Sequence, residues 1–401
     1  MKTSLGAWAE GILEAVALVA LAAVPAFANY YSQSVFEGDK TALLATVVAF
    51  GAVAALIALG ERGGRGWRQV ARQPVVLAVV GVVVAEALAT TAAVDRRLAI
   101  VGSYERAHGL LTALWLVVVF AAVAWRASRP DARRRLAATA FAASAPVAAY
   151  ALAQALGAEV VPGVAESASR VFGTMANPIF LGAYLMLAVP VGLGLVVDGF
   201  ARGAKWTAAA VALVVAVDAT ALFLSDSRGS LLGLGFGLLV GAAAALGATG
   251  RRRGVIAVIA LVAAAIAFLA VFNFEASPLA PLRDAPVIGR LGRISQTGSG
   301  SEATRMRIWR GVDRLVRHTV AEEPARLLVG YGPESLKYEI LPFAEANVGG
   351  PQQADRLTDR AHNQLLDALV MSGLFGALAR LAFLAAAFVA ALGAVVPSWG
   401  G

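Results

Sequence analysis

The stretch VIAVIALVAAAIAFLAVFN, residues 255–273, contains no charged residue and directly follows three arginines and a glycine at 251–254. At about 1.5 Å per residue, a helix of this length spans most of a hydrocarbon core that is roughly 30 Å thick. Similar runs recur along the 401-residue chain, which is 59% apolar and only 15% charged, whereas soluble proteins are about 45–50% apolar. Because backbone groups in lipid must pair within the protein, we predict an all-α polytopic membrane protein.

The apolar pattern predicts about eleven transmembrane helices and one long polar loop. The spans lie near residues 11–29, 41–60, 75–94, 109–125, 136–156, 177–197, 207–224, 229–249, 255–273, 363–379 and 381–396. We therefore expect three parts: a first helix bundle of about nine spans (1–273), an extracytoplasmic loop domain (274–361) and about two C-terminal helices (362–401). The final helix points outward, which leaves open whether further chain follows.

The placement of positive charge predicts the orientation. The loops after the second, fourth, sixth and eighth spans carry fourteen arginines and lysines, and the alternate short loops carry six. Positive residues favour the cytoplasmic side, so the chain is expected to start in the cytoplasm and the long loop to face outward. The net charge of +8 then reflects topology, and no motif for binding nucleic acid is present. Ala26-Phe27-Ala28 also permits a signal-peptidase site, whose cleavage would leave the remaining topology unchanged.

Three acidic residues fall inside predicted spans. Placing a charge in hydrocarbon costs about 2.5–3.5 kcal/mol on insertion scales, so such residues are functional candidates. Glu14 lies near the cytoplasmic edge, where the alternative is an anchoring role. Glu86 and Asp218 either pack as partners of arginines or line a polar pathway.

A tight polar turn, Ser225-Asp226-Ser227-Arg228-Gly229-Ser230, separates two closely spaced spans at the outer interface. One interpretation is that Arg228 pairs with Asp226 and completes the turn. The other is that its planar guanidinium binds phosphate through two parallel hydrogen bonds, which lysine does less well.

The segment DRAHNQLLDALVMSG, residues 359–373, places His362 and Asn363 at the first turn of the tenth span. Free N–H groups and the helix dipole favour anions there and lower the pKa of a histidine. A neutral imidazole can accept a proton from a hydroxyl group. The alternative is a capping or interfacial histidine.

The carboxylate that orients His362 is not fixed by the sequence, which offers Asp355, Asp359 and Asp367. His108 and His318 are weaker candidates, because the first begins a span and the second follows a predicted amphipathic helix at 305–317. The histidines are far apart and no H-E-x-x-H motif is present, so we predict no metal site. No cofactor is expected either, and without cysteine there is no thiolate chemistry.

Several further segments form a recognisable set in chain order: Arg170-Val171-Phe172-Gly173-Thr174-Met175-Ala176-Asn177-Pro178-Ile179-Phe180-Leu181, Ser227-Arg228-Gly229, Arg305 with Trp309, Gly330-Tyr331-Gly332-Pro333 and His362-Asn363, with Gly102-Ser103-Tyr104-Glu105-Arg106 as a weaker match. Together they resemble the superfamily of O-antigen ligases and polymerases, which are membrane glycosyltransferases of the bacterial cell envelope. Their order and their side of the membrane agree with the superfamily over roughly residues 90–380.

The resemblance implies a GT-C-like architecture and transfer of a glycan from a polyprenyl (undecaprenyl) pyrophosphate carrier to an acceptor hydroxyl, without a metal, in an inverting reaction. The transfer would occur at the outer, periplasmic face of the bacterial inner membrane. It implies catalytic roles for His362, Arg228 and Arg305, pyrophosphate binding by Arg228, Arg305, Arg170 and Arg360, and supporting roles for Asn363, Asp359 and Asn177.

The expected partners are the lipid-linked glycan donor, a glycan, lipid or protein acceptor, and membrane lipids. A polymerase of repeat units and a protein O-oligosaccharyltransferase share the same layout and remain alternatives to a ligase. A transporter of lipid-linked glycan or of a small molecule is an alternative from another class, although no internal repeat is apparent. A receptor or scaffold would need no such arrangement of arginine and histidine.

Overall fold

The computed structural model describes residues 5–29, 31–32, 35–62, 70–104, 106–158, 170–274, 277–284, 301–345 and 358–395. Within these ranges the chain forms helices and turns and no β-strand. The helices are α1 Leu5–Ala26, α2 Gly38–Arg62, α3 Pro74–Thr91, α4 Arg96–Val101, α5 Leu110–Ala127, α6 Pro130–Ala142, α7 Ser144–Ala155, α8 Pro178–Ala201, α9 Lys205–Leu224, α10 Arg228–Ala248, α11 Arg252–Asn273, α12 Ser301–Glu322, α13 Pro324–Val329, α14 Leu336–Glu339 and α15 Gln364–Val395. Two short 3₁₀ helices span Ala280–Asp284 and Leu341–Phe343.

Ten helical segments in the described ranges are long and apolar enough to cross a membrane. Nine of them precede residue 274, as predicted, and α6 and α7 together form the fifth of these segments, over 130–155. The protein is therefore an all-helical, multi-pass membrane protein.

The predicted break between the two C-terminal spans, at residue 380, is wrong, because the helical segment α15, residues 364–395, continues through this position. The predicted boundary lay at Arg380, a charge that seemed to end a span. In the structure Arg380 remains inside the helix because its Nη2 lies 2.5 Å from Glu86 Oε1 on α3. This ion pair also confirms that Glu86 packs as the partner of an arginine.

α15 is instead interrupted at Gly373, where φ is 64° and ψ is −166°. A Cβ at this position would lie 2.2 Å from the carbonyl oxygen of Leu328, so glycine is required for both space and conformation. The interruption frees backbone carbonyls on its N-terminal side. Tyr331 N donates to Val370 O and Gly332 N to Met371 O, each at 2.9 Å, which satisfies groups that would otherwise be unpaired. The Gly-Tyr-Gly-Pro segment therefore stabilises the break.

The chain divides into two compact units, one formed by residues 1–67 and 115–262 and the other by residues 68–114 and 263–401. We call them the first and the second unit. The division into parts at 1–273, 274–361 and 362–401 is a separate sequence-based description and stays a prediction.

Each unit has its own apolar core. In the first unit Val147, Leu181, Leu185 and Leu222 are fully buried together. In the second unit one face of α12 packs its apolar side chains against the segments around Tyr331 and Val370. The amphipathic helix predicted at 305–317 is thus confirmed, and it extends over 301–322.

The remaining intramembrane carboxylates have different partners. Glu14 forms ion pairs with Arg126 and with Arg135, the latter at 2.6 Å, which is consistent with the anchoring interpretation. Asp218 has no exposed surface and accepts a hydrogen bond from Ser144 Oγ at 2.6 Å. Among the described residues Asp218 has no arginine partner, and the polar group that faces it is the Ser144 hydroxyl at the start of α7.

Candidate active site

The backbone around His362 is held from several directions in the second unit. Asn363 caps α15, since its Oδ1 accepts hydrogen bonds from Leu365 N at 3.1 Å and Leu366 N at 3.3 Å. Ala361 N donates to Asp367 Oδ1 at 2.8 Å, and Ala361 O accepts from Trp309 Nε1 at 2.9 Å. His362 adopts a left-handed φ of 52°, which costs energy for a residue with a Cβ and persists where the surroundings enforce it. These contacts fix the backbone on both sides of His362, immediately before the membrane helix.

Arg305 lies one turn before Trp309 on α12, and Trp309 binds the carbonyl next to His362. Partial desolvation lowers the pKa of His362, and the charges of Arg305 and, more weakly, Arg106 lower it further. Asp359 and Asp367 act in the opposite direction. The lowered pKa of His362 favours the neutral imidazole, the form that can accept a proton.

The side chains of His362 and Arg305 are only partly enclosed. His362 is exposed and Arg305 half-buried. Among the described residues, neither side chain makes a hydrogen bond or an ion pair at contact distance, and the two act on each other through charge. Both groups are thus available to a ligand.

A network of arginines and carboxylates surrounds this position. Arg106 forms an ion pair with Asp359, and Arg360 Nη2 lies 2.9 Å from Glu334 Oε1. Arg360 Nη1 also donates to the sulfur of Met371 at 3.2 Å. Arg360, predicted to bind pyrophosphate, is therefore already engaged by a carboxylate, and Asp359 is paired with Arg106. The functional roles of both residues stay predictions.

Glu334 is the centre of this network and was missed by the sequence analysis. Its carboxylate is buried, with 7% of the residue exposed, and its backbone has a φ of 62°. It accepts hydrogen bonds from Ser103 N at 2.9 Å and His108 N at 3.3 Å in addition to the Arg360 contact. One carboxylate thereby joins the segments 102–108, 330–335 and 358–362. The only sequence signal was its position directly after the Gly-Tyr-Gly-Pro segment.

His108 also lies at this network, although the sequence analysis ranked it low. Desolvation lowers its pKa, as does the charge of Arg360, while Glu334 and Asp359 oppose the shift. His108 was predicted to begin a span, and it does lie just before α5, which begins at Leu110. The side chain nevertheless stands outside the span, among the ionic groups.

The first unit contains a second cluster of predicted residues. Arg228 is the first residue of α10 and is half-buried. The preceding turn has a left-handed residue, Asp226, with a φ of 50°. Exposed Arg170 donates from Nη1 to the carbonyl oxygen of Asp226 at 3.4 Å. The segments 170–181 and 225–230 thus meet in the first unit.

Asn177 and Lys40 organise the segment that follows Arg170. Asn177 caps α8, since its Oδ1 accepts from Ile179 N at 2.8 Å. Lys40, which sequence reasoning counted only as a loop charge, donates to Thr174 O at 2.6 Å and Pro25 O at 2.9 Å. Asn177 therefore has a structural task in the first turn of α8, and its functional role stays a prediction.

The predicted residues fall into two groups. His362, Arg305, Arg360, Asn363 and Asp359 lie in the second unit, and Arg228, Arg170 and Asn177 lie in the first. Asp355 lies outside the described residues. The described ranges contain no group of three or more histidine, aspartate and glutamate side chains with the geometry of a metal site, and the prediction of a metal-free site stays a prediction.

Fold and site together define a multi-pass, all-helical membrane protein with arginine and histidine side chains at the ends of its membrane helices. Residues 211–381 match the family model described as O-Antigen ligase. The predicted resemblance to the O-antigen ligase superfamily is thereby confirmed over this part of the chain, which includes Arg228, Arg305 and His362 but not Arg170. The match supports a ligase-like or polymerase-like glycosyltransferase in general terms. No curated protein and no solved structure gave a significant match.

Proposed function

We propose that this protein transfers a glycan from a polyprenyl pyrophosphate carrier to an acceptor hydroxyl at the periplasmic face of the bacterial inner membrane. The observation that carries the proposal is the exposed imidazole of His362 directly before a membrane helix, with its pKa lowered by burial and by the charge of Arg305. Both residues lie within the stretch that matches the ligase family.

His362 is proposed as the general base. The acceptor oxygen attacks the anomeric carbon of the donor sugar, and its proton passes to the imidazole. The bond between that carbon and the phosphate oxygen breaks at the same time, and the pyrophosphate leaves with the electron pair. This single displacement inverts the anomeric configuration. An acceptor hydroxyl has a pKa far above 7, so a neutral base close to it accelerates the reaction.

Arg305 is proposed to bind the pyrophosphate, on which negative charge develops as the bond breaks. Its charge has no carboxylate at contact distance among the described residues, in contrast to Arg106 and Arg360. In the first unit, Arg228 and Arg170 are also proposed to bind the pyrophosphate of the donor. The half-buried Arg228 can present a planar fork to phosphate oxygens.

The acceptor distinguishes the related functions. Transfer to a different molecule, such as a lipid-linked core glycan, defines a ligase, and transfer to another carrier-linked repeat unit defines a polymerase. Transfer to a protein hydroxyl defines an oligosaccharyltransferase. The ligase-like assignment follows the description of the matching family.

The direct test is transfer of a labelled glycan from undecaprenyl pyrophosphate by the purified protein in detergent, with EDTA present and with each acceptor class in turn. Transfer that continues in EDTA supports a metal-independent glycosyltransferase, and the acceptor that becomes labelled selects among the three functions. Absence of transfer to every acceptor, together with movement of the donor across proteoliposome membranes, would replace the proposal with a transporter.

A further inference from the structure

A buried carboxylate in the first unit has no part in the proposed chemistry. Asp218 lies within the membrane helix α9. Both Asp218 and Ser144, the first residue of α7, have no exposed surface. The next turns of the same two helices carry Leu222 and Val147, which belong to the apolar core of this unit. A charge in such surroundings is costly unless a cation or several hydrogen-bond donors compensate it.

No cation compensates Asp218 in the part of the chain that the structure describes, where Ser144 is its one hydrogen-bond partner. The second carboxyl oxygen, Oδ1, is buried and has no partner there. An oxygen left without a donor is far less costly on a neutral group than on a charged one. The burial of Asp218 therefore favours its uncharged form.

The other titratable and charged groups around α9 do not change this conclusion. They are Asp131 and the arginines at 133–135 on α6, Tyr150 on α7, Tyr184 and Asp198 on α8, Arg228 on α10 and, on α9 itself, Lys205. Of these, the half-buried Tyr184 interacts electrostatically with Asp218. A phenol carries no positive charge, so it does not neutralise a carboxylate.

The hydrogen atoms available at Ser144 decide which group carries the proton. Ser144 Oγ lies 2.6 Å from the carbonyl oxygen of Phe141 and also 2.6 Å from Asp218 Oδ2. A carbonyl oxygen and an ionised carboxylate can only accept, and a hydroxyl has a single hydrogen to donate. With Asp218 ionised, one of the two contacts would therefore bring two oxygen atoms together without a hydrogen. With Asp218 protonated, its O–H donates to Ser144 and Ser144 donates to Phe141, so both contacts are hydrogen bonds.

On this basis we propose that Asp218 binds a proton inside the membrane, and that this neutral carboxylic acid joins α9, through Ser144, to the end of α6. Loss of the proton would leave Ser144 between two acceptors and weaken the junction of α6, α7 and α9. The inference is independent of the proposed glycosyl transfer, because it concerns a group that does not touch the substrates.

Infrared spectroscopy of the purified protein in a maltoside detergent, which has no ester carbonyl group, provides the direct test. At pH 7 the wild type should show the C=O stretching band of a protonated carboxyl group, and Asp218→Asn should lack this band. Asp313→Asn is the matched control, because it makes the same change at an exposed carboxylate on α12, and it should keep the band. Identical spectra of the wild type and Asp218→Asn in this region would overturn the inference.

The pH dependence of stability is a second, independent measurement. Asp218→Asn should fold, because the amide can donate to Ser144 as the protonated acid does. An aspartic acid in an unfolded chain loses its proton at about pH 3.9, so above this pH the wild type takes up a proton on folding and rising pH favours unfolding. The unfolding equilibrium constant of the wild type, divided by that of Asp218→Asn, should rise about tenfold per pH unit while the folded protein keeps the proton. SDS titration in mixed micelles measures both constants, and a ratio independent of pH would contradict a bound proton.

The other possible occupant is a monovalent cation held by an ionised Asp218. A bound cation would make the wild type more stable in NaCl than in choline chloride at equal ionic strength, and Asp218→Asn would lose this difference. That result would replace the proton with a metal cation and overturn the inference. For a protonated Asp218 we expect equal stability of the wild type in the two salts.

Discussion

The two groups of arginines in this protein are held in different ways. In the second unit, Arg106 and Arg360 are paired with carboxylates around two histidines. In the first unit, Arg170 reaches a backbone carbonyl in the turn that precedes Arg228. Groups able to exchange protons near pH 7 thus accompany the arginines of the second unit. Under the proposed function we therefore expect proton transfer to belong to the second unit and the first unit to contribute charge and hydrogen bonding.

The largest expected effect comes from removing the imidazole of the second unit. His362→Ala should lower kcat about 100- to 10,000-fold, the range typical for loss of a general base. The measurement is the rate of labelled glycan transfer at saturating donor and acceptor. Because Asn363, not His362, caps α15, the variant should fold, and its thermal unfolding should match that of His318→Ala. A His362→Ala protein with near wild-type kcat would remove proton transfer from this residue.

The next largest effect is expected at the turn of the first unit. Arg228→Ala should lower transfer about 100- to 1,000-fold, the usual consequence of losing a group that stabilises developing charge, ~2.7–4 kcal/mol. Arg228→Lys keeps the charge but loses the planar fork, so it should recover only part of the rate. If both variants keep the wild-type rate, Arg228 merely completes the turn.

The dependence of kcat/KM on pH tests whether residues of the second unit set the protonation of the general base, His362. The Arg305 charge lowers the pKa of His362, so the base stays neutral to a lower pH and activity falls only on further acidification. Arg305→Ala should move this acidic limb of kcat/KM to higher pH, and Asp359→Asn, which removes an opposing charge, should move it to lower pH. Arg317→Ala is the matched control, since Arg317 lies on the same helix with its side chain 78% exposed and paired with Asp313. Its profile should coincide with that of the wild type, and an unmoved limb in Arg305→Ala would separate Arg305 from His362.

The sequence predicted the helical fold well because hydropathy is a local property. It failed at α15 because its interruption depends on distant partners. Arg380 is tolerated inside the helix through Glu86, and the interruption at Gly373 is satisfied by Tyr331 and Gly332. These partners are far apart in the sequence, so no periodic pattern of residues reveals their contacts.

The residue types of the candidate site could be predicted from the sequence, but the hydrogen bonds and backbone conformations that hold them could not. Five residues other than glycine have a left-handed φ in the described chain, and each lies in or directly beside a segment that carried the resemblance: Ala107, Ala176, Asp226, Glu334 and His362. Such conformations cost roughly 1–3 kcal/mol and concentrate at functional sites. Tertiary contacts enforce them, as with Ala361 and its two hydrogen bonds beside His362. No propensity in the sequence could reveal the strain, nor the role of Glu334.

The smallest effect is expected for Arg170→Ala, which tests whether the two arginines of the first unit act separately or as one group. Its side chain is exposed and its contact with the Asp226 carbonyl is long, at 3.4 Å, so Arg170→Ala should lower transfer only about 2- to 10-fold, as one net hydrogen bond predicts. If Arg170 acts by holding the turn that carries Arg228, its loss should matter little once Arg228 is already alanine. If Arg170 binds pyrophosphate on its own, the two effects should multiply. Transfer rates of the two single variants and the double variant decide between these roles. Multiplying effects would show that the arginines of the first unit act as separate ligands of the donor and not as one positioned group.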